Sequence, residues 1–247
     1  MPFTAAHPAI VLPLKQFQKR WFSLTGLVTG SIAPDFGYFL SFLFEIRISS
    51  HDLRDIYTFN LPVTILLAVL FHGFVRDNSI KYLPPFLKKK ALPAKGVHWF
   101  RYLRQHWFIF LLSATIGILS HLFWDSFTHY DGYFVSKVPW LLKPVEAFGI
   151  TLPISRVIQH ASTLVGLIVI LLYVLFLPSY PVTASHNWAG YWALVLIGGL
   201  LMLLAYTPEV VIMKTLDELV VRFITGCLVA MLLFGLLSKL KLRMTSS

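Results

Sequence analysis

Trp107-Phe-Ile-Phe-Leu-Leu-Ser-Ala-Thr-Ile-Gly-Ile-Leu-Ser-His121-Leu-Phe-Trp-Asp125-Ser-Phe-Thr-His129 is an apolar run with ionisable side chains set into its far end. A helix that crosses a bilayer needs about 20 mostly apolar residues, and 107–128 supplies them. Three more stretches qualify as readily, at 157–178, 188–207 and 219–238, and 58–76 is adequate although His72 lies near its end. The run 21–44 is long enough, but Pro34-Asp35 interrupts it. Proline lacks a backbone donor and disfavours helix at the residue before it. Residues 8–44 are therefore expected to form short or re-entrant helices broken at that point. Such backbone survives at membrane depth only against protein or a wet cavity.

Composition agrees. Of 247 residues, 57% are hydrophobic and 13% charged, with mean hydropathy +0.71. Soluble domains carry about 25% charged residues, so the chain lacks the polar surface to live in water. The expected fold class is all-α: a polytopic transmembrane helical bundle of about five to six spans. It reads as a single integral membrane domain over 1–247, in which 1–180 carries the histidines and aspartates of interest and 181–247 adds two C-terminal spans. No internal repeat stands out, and no soluble domain is expected at either end. The opening Met-Pro-Phe-Thr-Ala-Ala-His-Pro has no basic region followed by an apolar core, so a removable signal peptide is not expected. Cys227 is the only cysteine, which excludes a disulfide framework and a cysteine-based zinc site.

The net charge is +10, from 21 Lys+Arg against 11 Asp+Glu. In a soluble chain this would suggest nucleic acid. Here the basic residues flank apolar runs, which is the positive-inside pattern, and no nucleic acid partner is expected. The segment from Arg76 to Arg104 also holds Lys81, Lys88, Lys89, Lys90, Lys95 and Arg101, and is expected on the cytoplasmic side. Four spans separate it from Lys239, Lys241 and Arg243, so the C-terminus falls on the same side. The loops 45–57 and 129–156 then face outward, and Lys15, Lys19 and Arg20 favour an inward turn. Lys88-Lys89-Lys90 reads as a topology signal or an anionic-lipid contact. Trp107, Trp140, Trp188 and Trp192 read as interfacial anchors, His98, His106 and His186 as interfacial packing, and Glu209, Asp217 and Glu218 as solvated charges.

His121, Asp125 and His129 recur at i, i+4 and i+8, which places them along one helix face. Ionisable groups inside spans are costly and face a bundle interior or a cavity. A His-x-x-x-Asp pair can hold a divalent metal through an imidazole nitrogen and a carboxylate oxygen. The same row suits proton transfer, and the plain alternative is a set of buried side chains satisfied by backbone carbonyls or a neighbouring helix. Asp35, His51 and His160 fall near the same membrane face under the orientation above. His7 joins them if the first short helices form a hairpin with an inward turn. His72, beside Arg76, lies toward the opposite face, and Asp131 is peripheral.

The opening 1–14, Gly30-Ser-Ile-Ala-Pro-Asp35-Phe and Ser120-His121-Leu-Phe-Trp-Asp125-Ser-Phe-Thr-His129 resemble the bacterial DUF4184 family of multi-pass membrane proteins. That implies a bacterial inner-membrane location. The order of ligands is more distantly similar to the DUF457 membrane-bound hydrolases and to bacterial zinc-dependent phospholipase C, an all-α phosphodiesterase. That similarity implies one metal on His51, His121 and Asp125, a second on His129 and His160, and a contribution to a third from His7 and Asp35, with Asp35 activating water. Two departures limit it. Leu164 stands where the phospholipase pattern has a glutamate, with Thr163 beside it. The phospholipase also uses its free N-terminal residue as a ligand, whereas six residues precede His7 here. One or two divalent ions, zinc by preference, is the expectation.

The function these residues fit is hydrolysis of a lipid-linked phosphoester near the outer membrane face, with Asp35 and Asp125 as catalytic candidates. Phe123, Trp124, Phe127 and Tyr130 are placed to shield such a site, and membrane lipids are the expected surroundings. Two other classes use the same residues: an ion- or proton-coupled transporter, and a structural membrane protein with a vestigial metal site. No P-loop, Rossmann glycine pattern or G-x-S-x-G elbow is present.

Overall fold

The computed structural model describes residues 3–17, 21–46, 48–147, 149–182, 187–205 and 216–246. Lys19, Arg20, His186 and Glu209 lie outside the described residues, as do the side chains of Lys15, Asp217 and Arg243. The chain is helical: α1 (Pro8–Phe17), α2 (Leu24–Phe44), α3 (Ile56–Lys81), α4 (Trp107–Asp125), α5 (Ile154–Phe176), α6 (Trp188–Leu204) and α7 (Leu216–Ser246). Among the described residues, five helices are long and apolar enough to cross a membrane: α2, α3, α4, α5 and, within α7, Glu218–Lys241.

Two boundaries differ from the sequence expectation. Pro34 does not break the first long run. Ala33–Asp35 forms a single 3-10 turn inside an otherwise continuous 21-residue helix. The proline sits at the start of that turn, where its fixed φ fits. Ala33 still donates to the Thr29 carbonyl, and the Phe36 amide returns to Ala33 and Pro34. The other difference is α6, which has 17 residues. At 1.5 Å per residue that is about 25 Å, shorter than the hydrocarbon core of about 30 Å.

The segment between α4 and α5 carries a small antiparallel hairpin, β1 (Pro144–Ala147) and β2 (Ile150–Pro153), pairing Val145 with Leu152 and Glu146 with Thr151. Gly149 lies in the turn at φ 74°, a left-handed conformation that glycine adopts without a Cβ penalty.

Contacts divide the chain into two compact units. The first holds 1–37, 47–68 and 101–176. Its centre is the face between α2 and α4, built on small residues. A Cβ added at Gly26 would lie 2.6 Å from the Phe110 carbonyl oxygen. One at Gly30 would strike the Ala114 carbonyl, and one at Gly117 the Leu27 carbonyl. Small residues at such a face let two backbones approach, which is how helices associate without a hydrophobic drive in lipid. Leu27, Ala33, Phe110, Ala114 and Ile118 are buried around it, and Ser113 accepts a hydrogen bond from the Ser23 amide at 2.8 Å. The outer side of α5, with Leu164, Val165, Ile168 and Leu171, is exposed, as a lipid-facing surface requires.

The second unit holds 38–46, 69–100 and 177–247. Here α6 packs on α7 through Gly198 and Gly226, whose backbones approach one another closely, while Gly199 faces Phe223 and Cys227. His72 stacks on Trp99 with centroids 4.4 Å apart, and its Nδ1 accepts from Arg76, whose guanidinium also grips Asp77. His98 is exposed, in keeping with an interfacial position; so is His106, in the first unit, whose ring stacks on Tyr102 at 4.8 Å.

Candidate metal centre

The first unit gathers side chains from separate elements onto one spot. The close backbone approach of α2 and α4 sets the frame. His121 and Asp125 project from the last turns of α4, one turn apart. Asp35 enters from the 3-10 turn of α2 and is fully buried. His51 comes from the loop between α2 and α3, which Asp55 closes by accepting from the Ser49 hydroxyl at 2.7 Å and the Asp52 amide at 3.1 Å.

Asp35, His51, His121 and Asp125 offer ligand atoms that all lie within 4.8 Å of one another. The His121 Nε2 is 3.1 Å from an Asp125 oxygen and 3.6 Å from Asp35 Oδ1. The His51 Nε2 is 3.5 Å from Asp125 and 3.7 Å from Asp35. Bonds of about 2.0–2.1 Å from a tetrahedral zinc-like ion put neighbouring ligand atoms about 3.3–3.4 Å apart. The observed edges bracket that value. Most are too long for good hydrogen bonds and right for donors sharing one cation.

The unmet polar atoms point the same way. Both oxygens of Asp35, both of Asp125, and the Nε2 atoms of His7 and His121 are buried without a hydrogen-bond partner. Burying a carboxylate costs several kcal/mol of desolvation, and two side by side require compensating positive charge. Protonated histidines could supply it, and so could a divalent ion. For His51, burial acts to lower its pKa, but the contacts to Asp125 and Asp35 outweigh this and hold it up at about 9. His129 goes the other way, since burial dominates and keeps its ring below the usual range.

Neighbouring groups orient the two histidines. A carbonyl only accepts, so the His121 Nδ1–H donates to the Ser31 carbonyl at 2.7 Å, which turns Nε2 toward the carboxylates and makes it the lone pair of the neutral ring. The His51 Nδ1 pairs with Ser50 Oγ at 3.0 Å and presents Nε2 to the same spot. Metal-binding histidines are commonly fixed in this way.

Two more predicted residues border the group, His7 buried and His129 at its accessible edge. The His7 ring stacks on His121 at 3.8 Å, and its Nε2 is 3.6 Å from Asp125 Oδ1. The His129 Nδ1 is 3.4 Å from Asp125 Oδ2. Of the sequence candidates, His7, Asp35, His51, His121, Asp125 and His129 thus come together around the two carboxylates.

His160 does not join them. It is exposed on α5, and Leu164, one turn on, is 62% exposed on the same side. The inward face of this helix is set one residue earlier, at Gln159 and Thr163. Gln159 is 1% exposed and accepts from Arg156 at 2.9 Å, while Thr163 accepts from the Phe3 amide at 3.2 Å. A second ion on His129 and His160 is therefore not supported by this placement. The aromatic shield is also smaller than expected: Phe123 and Tyr130 are exposed. Trp124 donates to Ser162 at 3.2 Å, and Phe127 stacks on Phe134 at 4.2 Å. The His51 and His129 side chains form the accessible edge of the cluster, at 26% and 19% exposure.

Fold and site together define a class: a predominantly helical protein with five candidate membrane spans among its described residues and a largely buried group of two aspartates and two histidines that could hold a metal ion. The chain belongs to the DUF4184 family, a domain of unknown function, whose model matches residues 1–236. No curated protein and no solved structure matches it.

Proposed function

We propose that this protein is a membrane-embedded, metal-dependent hydrolase that cleaves a lipid-linked phosphoester. The observation that carries the proposal is the pair of buried carboxylates, Asp35 and Asp125, facing two histidines whose outer nitrogens are held in place by Ser31 and Ser50. A set with imidazole and carboxylate donors suits zinc and similar divalent ions.

The donors are not equivalent. Asp125 lies closer to the two histidine nitrogens, at 3.1 and 3.5 Å, than Asp35 does at 3.6 and 3.7 Å. His51, His121 and Asp125 are the holding set, and Asp35 is the base. Three protein ligands with one position open is the usual arrangement of a catalytic zinc site. When bound, such an ion acts as a Lewis acid on a phosphoryl oxygen and makes a water acidic enough to ionise near neutral pH. Asp35, fully buried against the holding set, would serve as the base that takes a proton from the attacking water. His129, 3.4 Å from Asp125, lines the edge through which the departing ester oxygen would leave. The His51–His129 edge admits substrate, while the stacked His7 ring closes the far side against bulk water.

The lipid character of the substrate rests on location. The cluster sits at the end of α4 rather than midway along it, in a helix of membrane-spanning length, so a head group at the interface meets it without leaving the bilayer. Exposed Leu53, Tyr57, Tyr130 and Tyr133 belong to the adjoining segments and suit an interfacial setting. The positive-inside pattern of the loops supports an outward setting for this end.

The experiment is turnover by zinc-loaded protein in lipid nanodiscs, following release of water-soluble phosphate ester from a radiolabelled phospholipid and a polyprenyl phosphodiester. Wild type is expected to hydrolyse one of these classes and Asp125→Asn to be inactive. Equal release by both, or by neither, overturns the hydrolase reading.

A further inference from the structure

Metal binding alone does not explain why α3 opens with a π-helical turn. Ile56–Asn60 is wound with the wide i→i+5 pattern before the helix settles into α form at Leu61. Single π turns of this kind disturb the ladder and recur at functional sites. Asn60 closes this one. It is fully buried, and its Nδ2 donates to the Ser50 carbonyl at 2.9 Å across ten residues of chain. Its own backbone carbonyl accepts from Thr64 Oγ1 at 2.8 Å, which ties it to the next turn.

Ser50 is held from several directions at once. Its carbonyl takes the Asn60 amide, and its hydroxyl meets His51 Nδ1 at 3.0 Å. On the opposite side Gly37 leaves no room for a side chain, because a Cβ there would run into the Ser50 hydroxyl. Gly37 lies two residues after Asp35. One serine therefore touches the helix that carries Asp35, the ring of His51, and the first turn of α3.

We propose that Asn60 is the positioning residue of the metal centre, acting through Ser50 to fix the ring of His51. This inference rests on the metal reading above and deepens it. His51 is delivered by a loop, whereas Asp35, His121 and Asp125 ride on helices packed against each other. A loop ligand loses its placement when its anchor goes, and removing partners of this kind typically weakens metal affinity about 10–100-fold. Asn60, buried at the start of an apolar helix, thus acts on a ligand nine residues before it in the chain.

The test is zinc affinity, by competition with a chromogenic chelator, on detergent-purified full-length protein. Wild type is compared with Asn60→Leu, Ser50→Ala and Thr64→Val, each checked for monodispersity and helical content. Asn60→Leu keeps the side-chain size and removes the amide; Asn60→Ala, added to the set, carries the test should Asn60→Leu fail to fold, and Ser50→Ala tests the second link, the hydroxyl on His51 Nδ1. The expected result is affinity about 10–100-fold weaker in Asn60→Leu, a loss in the same direction in Ser50→Ala, and wild-type affinity in Thr64→Val. Wild-type affinity in well-folded Asn60→Leu and Ser50→Ala overturns this inference and leaves the metal centre standing. A weakened Thr64→Val assigns the effect to the turn as a whole and also overturns it. A wild type that binds no zinc removes the metal reading itself, and this inference with it.

Discussion

His121 and Ser31 are joined by a 2.7 Å hydrogen bond from ring Nδ1 to backbone carbonyl, between two helices whose glycines let their backbones touch. The bond selects the tautomer of His121 and turns Nε2 toward Asp35 and Asp125. It exists only because α2 and α4 approach closely enough for a side chain on one to reach the main chain of the other. Helix packing and ligand geometry are thus one feature of the molecule.

Gly30→Val tests that coupling. The added side chain would meet the Ala114 carbonyl, and overpacking of this kind costs about 1–3 kcal/mol. The expected outcome is lower thermal stability in detergent together with reduced metal retention. A variant as stable as wild type, with full metal content, contradicts the packing described.

Asp35→Asn separates holding from catalysis. The amide keeps the shape of the side chain but cannot take a proton from water. Loss of a general base typically reduces turnover about 10²–10⁴-fold. The expected result is that loss with metal still bound, measured by activity and by elemental analysis of the same sample. Activity retained in Asp35→Asn contradicts the role given to it.

His160→Ala and Gln159→Leu discriminate the inward face of α5 from the outward one. His160 is exposed and Gln159 is buried. His160→Ala is expected to bind metal and to melt as wild type does. Gln159→Leu removes the acceptor that the Arg156 guanidinium meets at 2.9 Å and is expected to lower stability. Metal loss in His160→Ala would restore it as a ligand.

Orientation is open to direct labelling. In a Cys227→Ala background, single cysteines at Lys89 and Lys241 are expected to react with a membrane-impermeant maleimide only from the cytoplasmic side. One at Ser136 is expected to react only from outside. That pattern requires α6 to cross despite its 17 residues, in step with α7, against which it packs through Gly198 and Gly226. Opposite-sided reaction at Lys89 and Lys241 contradicts it.

The membrane fold is legible in the sequence because hydrophobic runs report helix length directly, and lipid leaves few alternatives to helices. The His121–Asp125 pair is legible too, since helical spacing alone puts both on one face; His129 lies past the end of α4 and reaches Asp125 from the turn that follows. Phase and distance are not. Whether His160 or Gln159 faces inward is a matter of about 100° of helix rotation, and both are polar enough to read as interior. Pro34 reads as a break because its local preference is visible and the 3-10 turn that absorbs it is not. Ser31 and Ser50 act through a backbone carbonyl and a hydroxyl that carry no signature. The available signal is the Gly26-x-x-x-Gly30 spacing on α2, which marks a close helix contact, and Gly30 directly adjoins Ser31.

The most direct test of the metal centre is elemental analysis of detergent-purified wild type beside His121→Ala/Asp125→Ala, without chelators at any step. The wild type is expected to hold at least one zinc-like ion per chain and the double variant to lose it. A folded wild type free of such metal, or a double variant that keeps it, contradicts the metal centre.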